Sequence, residues 1–177
     1  MNQPFYASSQ INRHGDFRSN KGFMTKIMSD KNTKFVPVLN GKNLFRQSDT
    51  SIEAYFFNSE QLKAIFPNGI DSPIFLGVTN NINYVGVDLD QNNSEMDLWC
   101  NKNSIIVEDL RKYGPTLNDV DASFLSLNNG MTFWHKTHQF CGSCGFKNNT
   151  TEAGFVKVCS NIDCGKSHFP RTDPAII

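Results

Sequence analysis

Cys141-Gly142-Ser143-Cys144 and Cys159-Ser160-Asn161-Ile162-Asp163-Cys164, separated by fourteen residues, decide how this chain is read. Two cysteine pairs a short stretch apart are what a tetrahedral thiolate metal site requires. Each pair on a tight turn aims two sulfurs at one ion, and the residues between them suffice for a small hairpin. Gly145 and Gly165 each follow a pair's second cysteine. At such a knuckle the backbone curls around the metal so that amides donate to sulfur, which often needs a residue tolerant of positive φ. The spacing predicts one Zn²⁺ held by Cys141, Cys144, Cys159 and Cys164. The alternatives are two disulfides, a redox dithiol or four unrelated thiols. A redox Cys-x-x-Cys usually sits beside a βαβ pattern, and the sequence shows none. Iron in a rubredoxin-like centre uses similar geometry, but the four-residue spacing of the second pair fits that symmetric knuckle less well. Four thiolates close the coordination sphere, and zinc activates water only when a position stays open, so the ion is expected to be structural. His135, His138 and His168 are then expected to be surface or hydrogen-bonded histidines.

The rest of the composition is that of a polar globular chain. Its 177 residues allow one large domain or two small ones, with 17 basic against 17 acidic residues, 38% hydrophobic residues and 15 phenylalanines. Charge neutrality argues against a protein whose main partner is nucleic acid. Lys147, Lys157, Lys166 and Arg171 around the cysteines read as solvated charges. Five cysteines behind an N-terminus with no apolar run imply a reducing, intracellular setting, and no segment is apolar enough to span a membrane. Cys100 reads as a buried free thiol. The asparagine pairs at 80–81, 92–93, 128–129 and 148–149 read as compositional bias.

Hydrophobic patterning predicts the elements. Residues 1–20 are polar with apolar anchors at Phe5, Tyr6, Ile11 and Phe17. Residues 20–30 predict a short helix with Phe23, Met24, Ile27 and Met28 on one side. Phe35–Leu39, Asn40-Gly41 and Asn43–Phe45 predict a hairpin, with Pro37 marking its first strand as an edge candidate. Ile74–Val78, Asn80-Asn81 and Tyr84–Leu89 predict a second hairpin, and Ser59–Phe66 a helical turn or two between them. Residues 90–104, carrying Trp99 and Cys100, read as a polar loop, and Ile105–Val107 as a continuation of the sheet. The long helix begins at Asn118, its N-cap, with Asp119 and Asp121 at the positive end of the dipole. Val120, Phe124, Leu127, Met131 and Trp134 form its buried stripe, with Trp134 a packing anchor. Gly130 weakens this helix by about 1 kcal/mol relative to alanine. The fold class is α+β: an N-terminal antiparallel, hairpin-rich sheet with helices, followed by a small zinc ribbon. Ala175-Ile176-Ile177 reads as a strand just beginning, and an apolar strand start without a partner invites association.

Trp134-His135-x-x-His138-x-Phe140-Cys141-x-x-Cys144-Gly145, the second cysteine pair, and Phe169-Pro170-Arg171-Thr172-Asp173-Pro174-Ala175-Ile176-Ile177 together resemble the NADH pyrophosphatase branch of the Nudix hydrolases. The wider Cys159–Cys164 spacing resembles eukaryotic members. Ile11-Asn12-Arg13 with Arg18, Phe75-Leu76-Gly77 and Leu110-Arg111 look like that family's N-terminal domain. The resemblance implies an N-terminal domain over 1–138, a zinc ribbon over 139–169 and the start of a Nudix catalytic domain over 170–177. It implies a homodimeric enzyme that cleaves the pyrophosphate of NADH or NAD to a nicotinamide mononucleotide and AMP, in some members also removing NAD caps from RNA, with a cytoplasmic or peroxisomal address. The family's Gly-x5-Glu-x7-Arg-Glu-x-x-Glu-Glu signature is absent from this chain, so no catalytic residue is assigned. Mg²⁺ or Mn²⁺ is expected only with the catalytic domain, where clustered carboxylates hold the metal against the phosphates. Glu53, Glu60, Glu95, Glu108 and Glu152 are scattered and read as surface charge. Three readings follow: the front portion of a pyrophosphatase, inactive alone; a non-catalytic module pairing with a full-length relative; and a zinc-ribbon nucleic-acid binder, against which the neutral charge counts.

Overall fold

The computed structural model describes residues 6–48, 50–90 and 93–171, with the side chains of 93–95 left aside. The anchor Phe5, the carboxylate of Glu95 and the strand start within 172–177 lie outside the described residues.

Two tight turns organise the sheet. Asn40 and Gly41, at φ 52° and 73°, join β1 (Lys34–Leu39) to β2 (Lys42–Gln47). Asn80 and Asn81, at φ 48° and 59°, join β4 (Ile74–Thr79) to β5 (Ile82–Asp88). Positive φ at both central residues is the type I′ geometry that matches the twist of a hairpin. Both hairpins close in the register this requires, Leu39 opposite Lys42 and Thr79 opposite Ile82. They are joined by a parallel pairing of β1 with β5, from Lys34 opposite Tyr84 to Val38 opposite Asp88. With β3 (Ile52–Ala54) the order is β3-β2-β1-β5-β4. Phe45 pairs with Ala54 of β3 and with Ile106 of β6 (Ile105–Glu108), so β6 runs along the opposite edge of β2.

Pro37 therefore lies in an interior strand and not at an edge. The backbone of β1 alternates between its two neighbours. Phe35 exchanges hydrogen bonds with Phe57 (2.8 and 2.9 Å), and Leu39 pairs with Lys42 on the same side. Pro37 falls between them, where the neighbour changes from β2 to the segment reaching Phe57, and no ladder donor is required there.

Side chains of alternating parity feed two cores, one on each face of the sheet. Phe35, Leu44, Phe75 and Val85 face one cluster; Val36, Phe45, Leu76 and Tyr84 face the other. Burial on both faces explains why these strands read as near-continuous apolar runs. The first face is covered by α1 (Phe23–Ser29), α2 (Ser59–Ile65) and α3 (Asn93–Lys102). A capping box starts α2: the Asn58 side chain accepts from the Gln61 amide at 2.8 Å, and Gln61 accepts from the Asn58 amide at 3.0 Å. The helix α3 replaces the expected loop over 90–104. Its sequence is polar overall, but Met96 and Cys100, four apart, are buried and Trp99 packs beside them against Tyr55 and Phe57, a one-sided stripe too narrow to raise the average.

On the second face lies α5 (Asp119–Thr137), preceded by the short α4 (Leu110–Tyr113). Asn118 caps α5, its side chain accepting from the Asp121 amide at 2.8 Å. Phe124, Met131 and Trp134 of the expected stripe are buried, and Val120 and Leu127 are half-buried. The buried face also includes Leu125, Asn128 and Thr132. The asparagines read as bias have positions in the packing. Asn128 Nδ2 donates to Val36 O at 2.7 Å, and the Asn43 and Asn129 side-chain amides exchange two bonds of 2.9 Å. Tyr84 and Phe124 stack with ring centroids 4.0 Å apart.

The approach of Asn128 to the sheet requires Gly86. A Cβ there would lie 1.9 Å from Asn128 Oδ1. Gly86→Ala is expected to destabilise the protein by about 1–3 kcal/mol, the range for overpacking, read as a lower urea midpoint. Adding Asn128→Ser should recover part of the loss; simple additivity of the two substitutions would refute the clash.

Candidate metal centre

The helix α5 runs directly into a three-stranded sheet, β7 (Asn148–Thr151), β8 (Val156–Cys159) and β9 (Ser167–His168), in the order β7-β8-β9. Each cysteine pair sits on a turn at its rim. In the first, Phe140 and Lys147 bridge, Cys141 N–H donates to Phe146 O at 2.7 Å, and Gly145 N–H donates to Cys141 O at 2.9 Å. In the second, Cys159 N–H donates to Lys166 O at 2.9 Å and Gly165 N–H to Asn161 O at 2.9 Å. Gly145 and Gly165 take φ 76° and 54°, as the knuckle geometry demands. The two additional residues of the second turn are absorbed locally: Asn161 Oδ1 accepts from the Asp163 amide at 3.1 Å, and Ile162 is pushed outward to 96% exposure.

This brings four sulfurs from two distant turns together. Cys141 and Cys164 Sγ are 3.8 Å apart, Cys144 and Cys159 Sγ 3.3 Å apart, and all four lie within 4.8 Å of one another. Zn–S bonds of about 2.3 Å arranged tetrahedrally span edges of ~3.8 Å. All four are free cysteines, far beyond the ~2.05 Å of a disulfide. Among the described residues no other group of three or more histidines, cysteines or carboxylates converges in this way. The cluster could hold a metal ion such as zinc.

The thiols are electrostatically unequal. The Ser143 amide, 3.5 Å from Cys141 Sγ, helped by the Cys144 amide and the His168 ring, lowers Cys141 to about 5, while burial pushes Cys159 up to about 12. Sulfurs this close cannot all carry charge without a cation among them. A divalent ion removes that conflict and draws all four into the thiolate form.

His168 lies against Cys141, whereas His135 and His138 have partners away from the sulfurs. His135 Nε2 donates to Gly154 O at 2.7 Å, and burial lowers its pKa, keeping the ring neutral. His138 Nδ1 lies 3.2 Å from Trp134 O. Lys157 is not the solvated cation its sequence context implied. It is 5% exposed; Nζ donates to His135 O at 2.8 Å and lies 5.7 Å from the Trp134 ring. Burial lowers its pKa. With Asn148 Nδ2 on His138 O (3.2 Å) and the Arg18 guanidinium 3.6 Å over the Phe155 ring, it docks the ribbon on the N-terminal portion. Composition gave no sign of this, because a buried lysine and a solvated one look alike in sequence.

Replacing Cys144 by serine should release the metal at least tenfold more readily to a chelator, because a neutral hydroxyl does not replace a thiolate. Chelation of the intact chain should abolish amide protection over 139–168 and leave protection in β1 and β5 largely in place. Elemental analysis and hydrogen exchange measure both. Protein purified under reducing conditions without zinc or iron would refute the site.

No family model matches the chain. It is 24% identical, over 98% of its own length and 56% of the relative's, to the NAD-capped RNA hydrolase of Schizosaccharomyces pombe. A 44-residue stretch, 25% of this chain and 10% of the relative, is 52% identical to the chloroplastic Nudix hydrolase 19 of Arabidopsis thaliana. A 59-residue stretch, 32% of this chain and 22% of the relative, is 41% identical to the NAD-capped RNA hydrolase NudC of Mannheimia succiniciproducens. The chain thus spans little more than half of one of these relatives and less than a quarter of the other two. These similarities agree with the motifs in their direction: the chain resembles the NADH pyrophosphatase branch of the Nudix hydrolases.

Proposed function

We propose that this chain is the N-terminal and zinc-ribbon portion of an NADH or NAD pyrophosphatase, acting in its complete form on the dinucleotide and on NAD-capped RNA. The observation that carries the reading is the alignment of 98% of the chain with an NAD-capped RNA hydrolase, and the four converging sulfurs support it. In this reading residues 1–138 form the N-terminal domain, 139–169 the ribbon, and 170–177 lead into the catalytic domain. Cys141, Cys144, Cys159 and Cys164 hold Zn²⁺, which supplies structure only, because four thiolates leave no position for water. Hydrolysis to a nicotinamide mononucleotide and AMP belongs to Mg²⁺ or Mn²⁺ on carboxylates outside this chain. The described glutamates do not compete for that role. Glu53 lies on β3, Glu60 on α2, Glu108 on β6 between Lys42 and Lys112, and Glu152 in the turn before β8. The complete protein is a homodimer, cytoplasmic or peroxisomal; among the described residues no helix is long and apolar enough to cross a membrane.

The purified chain should contain one zinc and release no AMP from NADH with excess Mg²⁺ or Mn²⁺. The same chain joined to a Nudix catalytic domain should release AMP and nicotinamide mononucleotide in equal amounts, followed by chromatography. AMP release by the chain alone, after controls for contaminating enzyme, would overturn the assignment of chemistry to a separate domain. Activity gained only by mixing with a full-length relative would favour the pairing module instead.

A further inference from the structure

Between the outer side of α5 and the ribbon runs a groove of about 1070 Å³, above the ~300–1,000 Å³ typical of small-molecule pockets. Its lining combines two chemistries: the guanidiniums of Arg13, Arg18 and Arg171, and the rings of Phe133, Phe155 and Phe169. Phe133 and Phe169 are 68% and 65% exposed, large apolar surfaces held open to solvent.

Arg13 and Arg18 are held close together, and neither has an acidic partner at ion-pair distance among the described residues. Arg13 Nη1 donates to Leu76 O at 2.6 Å, and Arg18 donates through Nε and Nη2 to Arg13 O at 3.1 and 2.9 Å. The ion pairs among the described residues use Lys42, Lys112 and Lys136 and none of these arginines. Among the described residues lining the groove, Glu152 is the one carboxylate beside three arginines, and its charge acts on Arg18. Like charges at a half-buried site repel: burial first, and then the charge of Arg18, lower the pKa of Arg13. The backbone enforces this placement. Residues 11–13 pair with β4 through Asn12 and Val78 (2.9 and 2.8 Å), and the bulge at Gly77 makes room, since a Cβ there would lie 2.6 Å from Ile11 Cγ2. Guanidiniums with unused donors fit phosphate oxygens, and exposed rings next to them fit unpaired bases, whose faces stack on aromatic side chains.

We propose that this groove binds single-stranded RNA, with Arg13, Arg18 and Arg171 on the phosphates and Phe133 and Phe169 stacking on the bases. The proposal deepens the functional reading above and rests on it for its biological setting: an RNA whose cap is cleaved must be held along its body. Charge selects RNA over an apolar protein segment, which would leave the arginines uncompensated. The net charge of zero for the whole chain does not oppose it, because recognition here depends on a local excess and on stacking.

The test is fluorescence anisotropy of an uncapped, labelled oligouridylate of about ten nucleotides, titrated with the full chain at ~50 and ~200 mM salt. Binding should weaken at least fivefold on Phe133→Ala, Phe169→Ala and Arg171→Gln separately, all exposed positions where folding is not at stake. Arg171→Gln should also flatten the logarithmic salt slope by ~0.7. Lys63→Gln on α2, at the other face of the sheet, should change nothing. No binding up to ~100 µM chain at the lower salt, or binding indifferent to all three substitutions, would overturn the proposal. So would self-association lost on Phe133→Ala in a chain that takes up no RNA, which would give the groove to protein. Because the probe carries no cap, these outcomes are independent of whether the chain joined to a catalytic domain hydrolyses NADH.

Discussion

The last turn of an α-helix leaves carbonyls without partners, and the way α5 satisfies its own determines where the ribbon sits. Lys157 and Asn148, from adjacent ribbon strands, donate to His135 O and His138 O. His135 returns a bond to Gly154 O from its ring. The lysine also brings a positive charge to the negative end of the helix dipole. At its middle the same helix is fixed to the sheet by Asn128 on Val36. The ribbon is thereby oriented by a helix that the N-terminal sheet orients, and the cysteines inherit that chain of constraints. Lys157 is two residues from Cys159, so anything that disturbs the sulfur cluster reaches the helix end almost at once.

The parts legible in the sequence were those that depend on short-range backbone demands. Asn40-Gly41 and Asn80-Asn81 specify positive φ in themselves, Asn118 caps its own helix, and the glycines after Cys144 and Cys164 supply the positive φ of their turns. The parts that were not legible depend on tertiary neighbours. Pro37 is tolerated in an interior strand because the adjacent strand changes beside it. The helix α3 forms because Met96, Trp99 and Cys100 find Tyr55 and Phe57, a surface built elsewhere in the chain. Lys157 is buried because a helix terminus happens to offer it a carbonyl. Asn128 and Asn129 looked like members of a biased composition and are instead the polar contacts between α5 and the sheet.

The two knuckles are alike in hydrogen bonding and unlike in surroundings. Cys141 and Cys159 are buried, Cys164 is half-buried and Cys144 is exposed. The amides that donate to Cys141 favour its thiolate, whereas Cys159, on the strand side, is held in its thiol form by burial. Ligation must therefore displace protons unevenly. Cys141 offers a ready anion, whereas Cys159 would need the cation to draw off its proton. A metal ion held by the four sulfurs would tie two turns fourteen residues apart into one small body.

The contacts that seat α5 span the chain. Asn128 reaches Val36 across 92 positions, and the Ser8 amide donates to Ser123 Oγ across 115. A polypeptide emerging from the ribosome completes β1, β4 and β5 long before residue 137 is out. For that interval Val36, Leu76 and Tyr84 present an uncovered apolar face, while the first face already has α1 and α2 and gains α3 once residue 102 is made. The nascent protein thus passes through a half-sandwich with an adhesive side, a stage at which chaperone capture competes with misassembly. Its duration is set by the translation of the roughly fifty residues between β5 and the end of α5.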